Sequence, residues 1–278
     1  MTMPHAGGGP RAVPAPLEGV GASVAIASGK GGVGKSTVSV NVALALAQQG
    51  AAVGLLDADI YGPSLPTLLG INRRPDVVGE KLMPLTAHGL QVMSLGFLMP
   101  DGAPVIWRGA MVSGAIQQFL QDVAWGRLDY LLIDLPPGTG DAQLTLAQVV
   151  PLAGALIVMT PQDLAMHIAS KAVAMFRQLR VPILGVIENM SGFVCPHCGT
   201  TAPVFRTGGG RVASQRLGVP FLGEVPLDPT VCQTSDRGVP IVSAHPDSPA
   251  AAAFRSVAGA LAVRVREEAA AAPAIRLG

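Results

Sequence analysis

The sequence predicts a three-layer α/β fold, with a mostly parallel sheet covered by helices on both faces. Three observations predict it. Apolar runs of strand length alternate with segments of helical periodicity along most of the chain. Those runs are rich in Val, Ile, Leu and Ala with little polar alternation, as strands buried on both faces require. Hydrophobic residues make up 49% of the 278 and aromatics only 4%, so aliphatic side chains must fill the core. Strand–helix alternation of this kind implies right-handed crossovers within one sheet.

The expected strands are residues 24–27, 52–56, 90–94, 130–133, 155–159, 183–187 and 221–224. The expected helices are 35–49, 109–123, 142–149, 164–179, 209–217 and 248–268. Residues 1–21, rich in Pro and Gly, predict a disordered tail; 22–268 form one domain, and the Ala-rich 269–278 a frayed tail. Residues 63–108 read as an irregular insertion over one edge of the sheet. The net charge of +1 points to no acidic or basic partner, so neither nucleic acid nor a charged membrane surface is expected. No apolar stretch approaches the roughly 20 residues of a membrane helix, and three cysteines, an odd number, fit a reducing compartment. A cytoplasmic protein is the expectation.

Gly29-Lys30-Gly31-Gly32-Val33-Gly34-Lys35-Ser36-Thr37 sits between a strand and a helix and fits G-x-x-x-x-G-K-[ST]. Glycines let successive backbone N–H groups turn inward on phosphate oxygens, and the helix adds its positive end. Lys35 is placed for the β- and γ-phosphates of ATP, and the Ser36 hydroxyl for magnesium. Gly29, Gly31 and Gly34 also satisfy the dinucleotide pattern G-x-G-x-x-G, with Asp57 ending the next strand. Lys35-Ser36 at the helix start and a second acidic strand end, Asp134, decide for the triphosphate. The expected fold is thus a three-layer P-loop NTPase. Asp134 closes the apolar run Leu131-Leu132-Ile133 as a magnesium-holding carboxylate, and Gly138 in the proline-stiffened turn after it is placed to sense a γ-phosphate. Asp57 is a candidate for the metal's water shell, and Asp59 for orienting the attacking water; capping a turn is the alternative for both.

With Lys30 early in it, the loop resembles the deviant Walker A loop of the MinD/ParA-type ATPases, in which two subunits face each other across two ATPs. The resemblance implies that Lys30 acts on a partner's nucleotide, as an arginine finger does. From about Ser23 to Phe254 the chain is most similar to the Mrp/ApbC-type iron–sulfur cluster carriers. The motifs are Asp57-Ala58-Asp59-Ile60-Tyr61-Gly62-Pro63-Ser64, Trp107-Arg108-Gly109, Asp134 to Asp141, Thr160-Pro161-Gln162-Asp163, Glu188-Asn189-Met190-Ser191 and Cys195-Pro196-His197-Cys198. The resemblance implies that Asn189 recognises the purine base and that Pro226 to Asp228 line its pocket.

Two thiolates spaced as Cys195 and Cys198 grip a metal centre from one side. A [4Fe–4S] cluster or a tetrahedral zinc needs about four ligands, and Cys232 lies far along the chain. A twofold dimer giving two cysteines from each copy is the simplest completion. The resemblance implies the same: a homodimer bridged by a [4Fe–4S] cluster, loaded by a cluster-assembly scaffold and passed to apo iron–sulfur proteins, with slow ATP hydrolysis. The other readings of the pair are half of a structural zinc site, which would make the chain a zinc-bridged dimeric ATPase, a redox pair, and two unrelated thiols. The rival function is a MinD/ParA-like positioning ATPase on membrane or DNA. It needs a basic amphipathic C-terminal helix; here Arg255, Arg264 and Arg266 share that helix with Glu267 and Glu268.

Overall fold

The computed structural model describes residues 17–59, 62–98, 120–138, 143–144, 150–195, 197–198, 200–205 and 208–271. The chain begins with β1 (Val20–Ala27), passes through the glycine loop into α1 (Lys35–Gln48) and returns as β2 (Val53–Asp57). A short α2 (Leu65–Leu68) precedes the hairpin β3 (Val77–Val78) and β4 (Lys81–Leu82), then β5 (Leu85–Ala87) and β6 (Leu90–Ser94). The sequence continues with β7 (Leu128–Asp134), β8 (Leu152–Met159), α3 (Asp163–Gln178), β9 (Ile183–Val194) and β10 (Thr201–Ala202). It closes with α4 (Gly209–Leu217), β11 (Phe221–Leu227), α5 (Pro229–Asp236), α6 (Ile241–Ala244) and α7 (Pro249–Ala271).

Among the described residues the large sheet runs β10-β9-β8-β1-β7-β2-β6-β5, with β11 also paired to β9. All its pairings are parallel except those of β5 with β6 and β10 with β9. Register is what builds the site. Ile26 lies beside Asp134, and Asp134 beside Asp57, so β1, β7 and β2 end at one level. The loops that follow these three strands therefore emerge at one edge, the carboxyl edge where parallel sheets bind ligands.

The strands are aliphatic because both faces are covered. Leu131, Leu132 and Ile133 of β7 are fully buried, as are Leu156 and Ile157 of β8. α1 and α7 pack together on one face, α3 and α4 on the other. α1 is buried along Val38 to Leu46, which explains why it lacks the charged face of a surface helix. Phe254 on α7 is fully buried. Phe254→Ala is expected to lower stability by about 3–5 kcal/mol, read by urea unfolding; a loss below about 0.5 kcal/mol, the range of surface substitutions, would remove α7 from the core.

The elements differ from the sequence expectation mainly at their ends. β1 begins at Val20 and β9 continues to Val194, well past residue 187, because backbone pairing persists beyond the apolar runs. α7 extends to Ala271. Within 63–108, the described residues are not simply irregular: they carry α2 and the strands β3 to β6. Helices α5 and α6 were not legible in the pattern; proline at the first turn and an Asp228 cap start α5 instead. Of the helices expected over 109–123 and 142–149, residues 120–122 and 143–144 are helical, and most of the remainder lies outside the described residues. Ile60, Tyr61, Trp107, Arg108, Gly109, Thr139, Gly140, Asp141 and Pro196 lie outside them too.

Candidate functional site

The glycine loop leaves β1 and enters α1 through Gly34, which caps the helix in the left-handed region at φ 76°. Gly32 has the same φ, and a Cβ there would meet nothing within 4 Å. At Gly34 a Cβ would fall 2.3 Å from Asn189 Nδ2, so this position needs glycine for both conformation and space. The first turn of α1 carries Lys35 and Ser36 toward the end of β7. Lys35 Nζ is 2.7 Å from Asp134 Oδ2, with both side chains buried. Ser36 Oγ donates to the same oxygen at 2.5 Å, and Ser39 Oγ donates to Oδ1 at 2.5 Å. A hydroxyl and a carboxylate side by side are hard oxygen donors, the kind magnesium takes.

The flanks of the loop are tied to neighbouring segments. Gly138 N donates to Ser28 O at 3.0 Å, which holds the proline turn after β7 against the loop. Asn189 Nδ2 donates to Val33 O at 2.8 Å. Lys30 Nζ donates to Gln162 Oε1 at 3.1 Å, at the start of α3. The structure thus brings Lys30, Lys35, Ser36, Asp134, Gly138 and Asn189 to one place.

The two aspartates after β2 sit differently. Asp57 is fully buried and accepts from Asp59 N, Ser64 N, Leu65 N and Ser94 Oγ at 3.0–3.2 Å. Burial, then the charge of Asp134, pushes its carboxyl up to about 7, against backbone bonds from Leu65 and Asp59 and the charge of Lys35. Its oxygens staple the turn that carries Asp59. Asp59 is half-buried, and its Oδ1 accepts from Gly62 N at 3.2 Å.

Pro226 is the last residue but one of β11 and Asp228 directly follows the strand, which pairs with β9 at Val225–Asn189. They line an open pocket of about 740 Å³ together with Val194, Thr230 and His245; no residue of 29–37 is among its walls. Asp228 also caps α5, accepting from Thr230 N at 2.8 Å.

Cys195 and Cys198 occupy the turn between β9 and β10. Val194 pairs with Thr201 and Phe193 with Ala202, and Cys195 N donates to Thr200 O at 3.0 Å. Cys195 is half-buried and Cys198 exposed. Hydrogen bonds from Thr200, side chain and then backbone, and from Cys195 hold the Cys198 thiol below its ordinary value. Cys232 is exposed on α5, 3.8 Å from Asp236 Oδ2. Among the described residues no three His, Cys, Asp or Glu side chains gather as a metal site.

Residues 19–262 match a family described as ParA, NUBPL iron-transfer P-loop NTPase. The chain belongs to this family. Among its relatives, a protein of Synechocystis sp. named iron-sulfur cluster carrier protein is 53% identical over 87% of this chain and 70% of that one. One of Escherichia coli with the same name is 47% identical over 90% and 68%. A solved nucleotide-binding protein from Archaeoglobus fulgidus, in complex with ADP, is 43% identical with a TM-score of 0.72, covering 80% of this chain and 88% of the other. The cell division ATPase MinD of Pyrococcus furiosus, 24% identical at a TM-score of 0.67 over 87% and 99%, shares the fold.

In this P-loop NTPase the sequence motifs pick out the phosphate loop and the acidic strand end. They miss Ser39, and they include Gln162 and Glu188 without giving either a role. Ser39 is visible in retrospect as a polar residue one turn after Lys35 inside an apolar helix. Glu188 is a charge inside the strand run of β9, and it is fully buried. Gln162 stands in the motif Thr160-Pro161-Gln162-Asp163, but its bond to Lys30 is visible only in the fold.

Proposed function

We propose that this P-loop NTPase is an ATP-dependent iron–sulfur cluster carrier that works as a homodimer. ATP is bound by the Gly29–Thr37 loop and hydrolysed slowly. A [4Fe–4S] cluster, the cargo, is held by Cys195 and Cys198 of each of two copies, accepted from an assembly scaffold and passed to apo iron–sulfur proteins.

The observation that carries this reading is that one strand, β9, serves both sites. Asn189 bonds to the phosphate loop through Val33 O, and Cys195 follows the same strand's last residue, Val194. The names of the relatives support the cargo. Two clustered thiols on an exposed turn supply half of the ligands a cluster needs, which supports completion by a second copy.

In this reading Lys35 turns from Asp134 to the β- and γ-phosphates, while Ser36 and Asp134 hold magnesium. Magnesium, when bound, neutralises charge on the phosphate oxygens. Asp59 orients the attacking water, and Asp57 fixes the turn that positions it. Gly138 N, now on Ser28 O, is the donor within reach of a γ-phosphate, and Lys30 completes the partner's site. Asn189 and the Pro226–Asp228 wall face the purine base.

The rival reading, positioning on a membrane or DNA, lacks support in α7. Arg264 is paired with Glu267 and Glu268, and Arg255 donates to Pro246 O. No helix among the described residues is long and apolar enough to cross a membrane.

Anaerobic reconstitution with iron and sulfide tests the carrier reading. The wild-type chain is expected to develop the visible absorption of a cluster, and Cys195→Ala and Cys198→Ala each to lose it. A wild-type chain that stays colourless, or variants that colour equally, would overturn it. Zinc bound at these cysteines without iron or sulfide would make the pair half of a structural zinc site. Sedimentation with liposomes or DNA in the presence of ATP is expected to leave the protein in solution.

A further inference from the structure

The chain contains a second glycine run that opens a helix. Gly208 caps α4 in the left-handed region at φ 80°, and Gly209 and Gly210 form its first turn. A helix start of this kind is a seat for an anion. Here the anion belongs to the chain itself. Gly208 N donates to Glu188 Oε1 at 3.1 Å, and Gly210 N donates to Glu188 Oε2. Ser191 Oγ donates to Glu188 Oε1 at 2.5 Å and also lies 2.9 Å from Glu224 Oε2 on β11. Glu188 is fully buried.

The glycines are needed for this approach rather than for phosphate. A Cβ on Gly210 would lie 2.8 Å from Glu188 Cβ, and one on Gly209 would lie 2.5 Å from Pro161 O. Only a helix start without side chains fits so close to β9.

Consecutive residues of a strand leave on opposite faces. Asn189 therefore goes to the phosphate loop on one face, and Glu188 goes to α4 on the other. The chain that carries the cysteines leaves β9 at Val194 and pairs back onto it at Thr201 and Ala202, and further along Gly208 N bonds to Glu188 of the same strand. Both of its ends are thus anchored on one strand, the far end by Glu188.

We propose that Glu188 is the positioning residue of the cysteine pair: it fastens α4 to β9 and so fixes the return of the turn that presents Cys195 and Cys198. This rests on the reading of the cysteines as metal ligands. Groups that hold a ligand-bearing segment in place act on metal affinity without touching the metal, and their loss commonly costs 10–100-fold.

Glu188→Gln in the full chain tests it, because the amide keeps one acceptor and loses the other. Three quantities are read: Co²⁺ affinity from thiolate-to-cobalt absorption, amide exchange over residues 193–205, and ATP affinity by calorimetry. Co²⁺ affinity is expected to fall about tenfold or more, and exchange over 193–205 to quicken, while ATP affinity stays that of wild type. Gly210→Ala, which pushes the same groups apart from the helix side, is expected to give the same pattern. Unchanged cobalt affinity and exchange in both variants overturn the proposal. So does a loss of ATP affinity by the same factor as cobalt affinity, since Glu188 would then support the whole fold. Absence of thiolate–cobalt absorption in the wild-type chain overturns the metal reading itself and this proposal with it, an outcome distinct from a failure in the variants alone.

Discussion

Asp134→Ala is expected to destabilise the protein by about 3–5 kcal/mol, because it leaves the buried Lys35 ammonium without its counter-charge. Asp134 is fully buried and receives three partners: Lys35 Nζ at 2.7 Å, and the hydroxyls of Ser36 and Ser39 at 2.5 Å each. Removing it strands the Lys35 charge at the end of β7 and takes the carboxylate acceptor from two hydroxyls, of which Ser39 Oγ keeps Lys35 O at 3.0 Å. Lys35→Ala is expected to cost less stability, since Asp134 keeps both serine donors, but to abolish ATP binding, since the charge that meets the phosphates is gone. Urea unfolding and calorimetric titration with Mg-ATP separate the two effects. A Lys35→Ala chain that binds ATP as wild type does would sink the assignment of the loop. An Asp134→Ala chain as stable as wild type would mean that the pair contributes nothing to the core. The double variant closes the cycle: its loss of stability is expected to be smaller than the sum of the single losses, because neither charge is then left alone.

Lys30→Ala is expected to behave in the opposite way. Lys30 is half-buried, and among the described residues its ammonium donates to a neutral amide, Gln162 Oε1. Its loss is expected to cost about 1 kcal/mol or less and to leave ATP affinity intact. Turnover is expected to fall about 10³-fold, the scale of a lost finger residue that completes a phosphoryl-transfer site. The bond to Gln162 lies within one chain, so reaching a partner's nucleotide requires Lys30 to leave it. Mixing provides the test. Lys30→Ala chains bind ATP but supply no finger; Lys35→Ala chains supply the finger but bind no ATP. Mixed dimers are expected to recover hydrolysis at one of their two sites. Mixtures no more active than the Lys30→Ala chain alone would show that Lys30 does not act across the dimer.

Much of this protein was legible because local rules and global fold agree. A buried parallel strand must be aliphatic, and a phosphate loop must combine glycines with a lysine and a hydroxyl at the helix start. Both leave a mark within a few residues, so the strands around Val24, Leu131 and Leu156 and the loop Gly29–Thr37 stand out. The side chains that meet across the fold leave no such mark. Asp57 reads either as a carboxylate of the metal's water shell or as a turn cap, and its four hydrogen bonds staple the turn after β2. Its partner Ser94 ends β6, and only the pairing of β2 with β6 brings the two together.

The glycine runs give the sharpest contrast. Gly31–Gly34 and Gly208–Gly210 both open helices, and by backbone chemistry alone both are anion seats. The sequence by itself determined that one of them accompanies a lysine, a serine and an acidic strand end, and so belongs to a nucleotide. Only the tertiary structure decided that the other is already filled, because the carboxylate that fills it comes from Glu188 on a strand that precedes it in the chain. The reason is physical: a phosphate loop carries its own counter-charges within a few residues, whereas an internal anion is supplied by whatever the sheet register places opposite. The same register sets the cysteine pair at the end of β9, on the strand whose Asn189 touches the phosphate loop.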